Sequence, residues 1–100
     1  MKLERIAWSN AASPTEADVR ARLSAEGFAC FVWTDPPDAR YEPHHHDHDE
    51  SIWVVEGEII FTAGGSALRL GAGDRLMLPR HTVHTALAGP GGATYVIGER

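Results

Sequence analysis

The stretch His44-His45-His46-Asp47-His48-Asp49-Glu50-Ser51-Ile52-Trp53-Val54-Val55-Glu56-Gly57 runs four histidines and three acids directly into an apolar segment. In an extended chain successive side chains leave opposite faces, so His44 and His46 share a face and Glu50 has the same parity. Two neutral imidazoles and a carboxylate suit a divalent first-row metal and leave coordination positions open. One more histidine, from a distant strand, would complete four protein ligands. His45 has the opposite parity and is expected in solvent. His48 has the ligand parity but lies where the chain is expected to bend, which places it beside the ligands rather than among them. Past Glu50, Ile52 and Val54 keep the inward parity and Trp53 reads as core. Glu56-Gly57-Glu58 reads as the turn of a hairpin with solvated glutamates.

Working outward, period-two alternation marks strands at Phe28 to Trp33, Ser51 to Val55, Glu58 to Thr62, Ala67 to Leu70, Arg75 to Leu78, His84 to Ala88 and Ala93 to Ile97. Turn-forming residues separate them at Asp35-Pro36-Pro37-Asp38, Gly64-Gly65, Gly71-Ala72-Gly73-Asp74 and Gly89-Pro90-Gly91-Gly92. Short strands at such spacing indicate a sandwich or barrel. Before Gly27 the period is helical. Ser13 is expected as N-cap, Pro14 as first helical residue and Glu16 as the reciprocal cap of a helix from Pro14 to about Glu26, with Val19 and Leu23 on its buried stripe. The organisation expected is an N-terminal extension over residues 1–27 and a barrel over 28–100.

The spacing His-x-His, three residues, Glu50, six residues, Gly57 resembles the first motif of the cupins. Their second motif is Gly, five residues, Pro, x, Gly, two residues, His, three residues, Asn, and Gly73, Pro79 and His84 match it at that spacing. The resemblance implies an all-β fold, the cupin jelly-roll or double-stranded β-helix barrel, here with one short N-terminal helix. It also implies His84 as the distant ligand, so that His44, His46, Glu50 and His84 hold one divalent ion: iron, manganese, nickel, copper or zinc. Two positions depart from the motif. His81 stands where glycine is usual, so it is expected to pay for a positive φ and to add an imidazole near the barrel mouth. Ala88 stands in place of asparagine. Cupins with these ligands include dioxygenases, decarboxylases, lyases and isomerases, which implies a metal-dependent enzyme acting on a small oxygen-bearing molecule. A non-catalytic small-molecule sensor is the alternative, and small cupins commonly pair as homodimers. Tyr41, Glu42, His48 and His81 are candidates for proton movement, and Ala86 and Ala88, which share the parity of His84, suggest a roomy apolar pocket.

Composition bounds this reading. A chain of 100 residues has room for one domain, and 43% apolar with 23% charged residues is globular rather than disordered or membrane composition. No apolar run approaches the roughly 20 residues that cross a bilayer, and the first ten residues lack the apolar stretch of a secretory signal, so a cytoplasmic location is expected. The lone Cys30 excludes an intrachain disulfide and a thiolate zinc site, and reads as a buried thiol. A net charge of -5 with eight scattered arginines offers no footprint for nucleic acid. The expected partner is a small molecule.

Overall fold

The computed structural model describes residues 4–7 and 14–100. Along them run β1 (Glu4–Ile6), α1 (Glu16–Ala25), β2 (Ala29–Asp35), β3 (Arg40–His44), β4 (Glu50–Ala63), β5 (Ser66–Gly71), β6 (Arg75–Leu78) and β7 (His84–Glu99). All pairings are antiparallel. Two long strands, β4 and β7, belong to both halves of the barrel. In one half the order is β1-β6-β4-β7-β2; in the other, the far end of β4 pairs β5 while the near end of β7 pairs β3.

Strand boundaries depart from the sequence expectation at two places. Glu56-Gly57-Glu58 is no hairpin turn, and Gly89-Pro90-Gly91-Gly92 ends no strand. At each the chain bends and stays in its ladder, with register shifts between Val54 and Glu56 and between Gly57 and Ile59. Gly57 (φ 78°) and Gly92 (φ 79°) carry the bend. Left-handed glycines are compatible with a bulge as well as a turn, so local sequence cannot separate the two. Two strands were not expected. β1 spans three residues, too short for a period, and β3 contains Pro43, which speaks against a strand unless it lies at an edge; among the described residues β3 pairs β7 alone.

The inner faces of the two halves meet in a core of Ile52, Val54, Ile59, Phe61, Leu70, Leu76, Ala86, Ala93 and Tyr95. Ile52 and Val54 point inward as their parity with Glu50 requires. A second core lies outside the barrel, where Val19 and Leu23 of α1 cover Phe28, Trp53 and Val96. Trp53 is buried, as expected, but on this outer face, and its Nε1 donates to the Gly73 carbonyl at 3.1 Å. Cys30 packs at the margin of that cluster and is half-buried rather than buried. The expected N-cap Ser13 lies outside the described residues. The helix begins at Glu16 with Thr15 as its cap, since Thr15 Oγ1 accepts from Asp18 N at 3.1 Å and Asp18 Oδ2 from Thr15 N at 3.3 Å. The reciprocal cap observed is Thr15 with Asp18. Among the described residues no helix is long and apolar enough to cross a membrane.

The C-cap of α1 is fastened to the barrel by charge. Glu26 accepts from both terminal nitrogens of Arg75, whose Nε donates to Ser51 Oγ at 2.7 Å and whose guanidinium lies 4.7 Å from the Trp53 ring centroid. The Arg75 bond holds the Glu26 carboxyl below its ordinary range. A depressed folded-state pKa adds stability above the unfolded value, about 4.3, that fades as pH falls through the folded one. Because Glu26 is 41% exposed, solvent screening keeps the contribution to about 1 kcal/mol or less. Glu26→Gln is expected to lower the urea midpoint at neutral pH, with the gap to wild type closing below about pH 4.

The bend supplies a sharper test. A Cβ on Gly57 would sit 2.2 Å from the Gly92 carbonyl oxygen, besides facing the left-handed φ, whereas a Cβ on left-handed Gly64 meets nothing within 4 Å. Gly64→Ala carries the backbone cost alone, about 1–2 kcal/mol. Gly57→Ala adds a clash between two paired strands and is expected to cost about 3 kcal/mol or more by chemical denaturation.

Candidate metal centre

The β3–β7 register places His44 opposite His84, residues distant in sequence but Cα partners in the ladder. Their ring centroids lie 4.2 Å apart, and that of His46 lies 5.0 Å from His44 and 5.4 Å from His84. One ring nitrogen from each of the three falls within 4.8 Å of the other two. Donors on a tetrahedral ion stand about 3.4 Å apart, so small side-chain rotations bring these nitrogens to bonding distance. The donor set fits a divalent metal.

Backbone carbonyls fix how two of the rings are presented. His44 Nδ1 lies 2.7 Å from the Glu42 oxygen and His84 Nδ1 2.8 Å from the Thr82 oxygen. A carbonyl only accepts, so each Nδ1 carries the proton and each Nε2 keeps its lone pair, the arrangement that orients metal-binding histidines. Burial, reinforced by the neighbouring His44 and His46 and opposed by the Thr82 carbonyl, holds His84 below the ordinary imidazole range. Its neutral, donating form is thereby favoured.

Glu50, the first residue of β4, is buried and belongs to an overlapping group with His46 and His48. Its Oε1 lies 3.7 Å from His46 Nε2, and its Oε2 3.0 Å from His48 Nε2. Of the four expected ligands the structure thus gathers three imidazoles in one group and brings the carboxylate up to His46. His48 also lies 3.4 Å from Glu99 Oε2. His48 thus falls in a second group of possible ligands with His46 and Glu50, and its contact with Glu99 was illegible because Glu99 arrives from the far end of β7.

These groups line one end of a cavity of about 270 Å³, small for a ligand pocket. Its other walls are mostly aromatic and aliphatic: Phe31, Trp33, Tyr41, Ile52, Phe61, Ala86, Tyr95 and Ile97. Ala86 contributes room as its parity with His84 implied, whereas Ala88 is buried outside the cavity lining. The aromatic wall hangs on Asp35, buried to 3% exposure. Asp35 accepts from the Trp33 indole at 2.9 Å, from the Tyr95 hydroxyl at 2.7 Å and from the Tyr41 hydroxyl. Three donors, two of them phenols, satisfy a carboxylate that would otherwise be costly to bury. Burial and the adjacent Asp35 push both phenols up, so both remain donors at neutral pH. Sequence parity of Phe31, Trp33 and Asp35 on β2 was the available signal for this wall; their closure against Tyr41 and Tyr95 was not.

His45 lies outside, exposed as expected. His81 adopts φ 64° at the motif's glycine position and its N–H donates to the His46 carbonyl at 2.8 Å. Glu42 contributes its carbonyl to His44 and its side chain is exposed.

The family model for the cupin domain matches residues 31–96. A comparison with curated proteins finds no match. Among solved structures, a cupin-2 domain containing protein from Shewanella frigidimarina NCIMB 400 superposes with a TM-score of 0.64 at 22% identity, over 72% of this chain and 69% of that one. KdgF from Halomonas sp. gives 0.63 at 22% identity over 97% and 79% of the two chains. The DMSP lyase DddQ from Ruegeria pomeroyi DSS-3 gives 0.65 at 23% identity; 73% of this chain covers 46% of that larger one. Likeness at this level establishes a common fold.

Proposed function

The chain belongs to the cupin family, and we propose that it is a metal-dependent enzyme acting on a small oxygen-bearing molecule, with His44, His46, Glu50 and His84 holding one divalent ion. The observation that carries this reading is the convergence of His44, His46 and His84 at the end of an apolar cavity, with the Nδ1 protons of His44 and His84 committed to backbone carbonyls. Iron, manganese, nickel, copper and zinc all accept such donors, and a bound ion would supply Lewis acidity toward a carbonyl, enol or phenol oxygen.

The chain's own residues divide the remaining work. Trp33, Tyr41, Phe61 and Tyr95 give the ligand an apolar, aromatic enclosure and exclude water from its carbon skeleton. His48 Nε2, between Glu50 and Glu99 at the edge of the same cavity, is placed to carry a proton between a bound molecule and a carboxylate. Rotation of Glu50 away from His48 would present its carboxylate beside His46. A DMSP lyase among the structural neighbours shows that the fold carries lyase chemistry elsewhere, in keeping with a dioxygenase-, lyase- or isomerase-like role here.

Protein stripped of metal and reloaded anaerobically is expected to retain one tightly held ion per chain through exhaustive dialysis, and His46→Ala to release that ion without altering the β-sheet circular dichroism. Failure of the stripped chain to retain any of the five metals would refute the site. Loaded protein is then offered diketones and aromatic diols, with and without oxygen. Turnover establishes the enzyme; saturable binding without turnover establishes instead a small-molecule sensor.

We also propose a homodimer. β2 lies at the edge of its half of the barrel, and Phe31 and Trp33 on it are 39% and 47% exposed. Exposed sheet edges bearing apolar side chains are ordinarily covered. Light scattering at micromolar concentration should give twice the chain mass. A wild-type monomer mass overturns the proposal.

A further inference from the structure

β3 ends at His44, and the loop that follows it splits the histidine-rich run in two. His44 and His46 line the cavity, while His45 and Asp47 face solvent. On that outer side they meet His81, from the segment between β6 and β7. One ligand atom from each of His45, Asp47 and His81 lies within 4.8 Å of the other two. Asp47 Oδ1 is 3.7 Å from His81 Nδ1, and the His45 and His81 ring centroids are 6.1 Å apart. We propose that these three residues form a second divalent-metal site on the outer rim of the barrel, sharing no ligand with the inner cluster and selective for zinc, nickel or copper.

Donor chemistry is the first support. Two imidazoles and a carboxylate make a nitrogen-rich set that favours these borderline ions over magnesium or calcium, which require oxygen cages. The spacing is the second. A tetrahedral ion separates its donors by about 3.4 Å, so Asp47 and His81 already stand near bonding geometry, and His45 closes the set by side-chain rotation alone. Water fills the fourth position.

The scaffold is the third support. Two loops carry the three donors, and hydrogen bonds tie those loops together before any ion arrives: His81 N donates to the His46 carbonyl at 2.8 Å, and Arg80 N to Oδ1 of the Asp49 side chain at 2.9 Å. Binding therefore orders side chains and leaves the backbone in place, which limits its entropic cost. His81 holds φ 64° to present its ring there, an angle that glycine adopts without steric penalty. An imidazole presented at that backbone cost, beside two further donors, supports a role for its ring.

Three exposed donors bind more weakly than a buried cluster, so the outer site fills after the inner one. An ion there would clamp the loop that carries His46 to the loop that leads into His84. The inference stands apart from the inner-site reading because the ligand sets are disjoint.

The test is a zinc titration of the untagged, metal-stripped chain by equilibrium dialysis and calorimetry, on wild type, Asp47→Ala and His81→Gly. His81→Gly relieves the positive φ, so loss of binding in it cannot be laid to misfolding. Wild type is expected to bind one zinc ion more than either variant, with the weaker dissociation constant raised about tenfold or more in each. If wild type takes one ion and His81→Gly none, the outer site stands and the inner one falls. Equal zinc stoichiometry and affinity in wild type and His81→Gly overturns the proposal.

Discussion

The pairing of β4 with β7 is the constraint on which the rest of the structure depends. The two strands run antiparallel along nearly their whole length, from Glu50 opposite Glu99 to Thr62 opposite Thr85, and the ladder bends midway at Gly57 and at Gly89 to Gly92. The bend lays one half of the ladder over the other, so its two ends face a common interior. Glu50 opens β4 and His84 opens β7; they come from opposite halves of the barrel and line the same cavity. The close approach of Gly57 to Gly92 is therefore a condition for assembling the site, although neither residue touches it.

The interior is graded from closed to open. Val54, Ile59, Leu70 and Leu76 seal one end of the barrel with no exposed surface, and the histidines occupy the other. Between them stands the wall pinned by Asp35, in which three strands, β2, β3 and β7, contribute donors to one carboxylate. A buried carboxylate left without those donors is strongly destabilising, so the network holds the three strands in one arrangement. The rigidity that keeps the cavity from collapsing comes from this polar network as much as from apolar packing.

The histidine-rich run is best understood as a strand end with two faces. Inside, backbone carbonyls of Glu42 and Thr82 set the tautomers of His44 and His84. Outside, the loop that follows β3 turns His45 and Asp47 toward His81. One short segment thus faces two environments.

Much of this was legible in the amino-acid sequence. Parity alone placed His44, His46, Ile52 and Val54 on one inward face, because it depends on local geometry that repeats along a strand, while His84 and the jelly-roll barrel came from the resemblance to the cupin motifs. The exposed His45 and the left-handed His81 followed from the same reasoning. Other features were decided only by tertiary structure. Whether Gly57 turns the chain back or bends it onward depends on what lies across the ladder, and the Gly92 carbonyl is contributed by a strand more than thirty residues away. Trp53 reads as core from its type, but α1 determines that it is an outer core. The contact of His48 with Glu99 and the gathering of Trp33, Tyr41 and Tyr95 around Asp35 join residues whose separation carries no period. Sequence patterns record which face a side chain leaves from; only the folded ladder decides what it meets there.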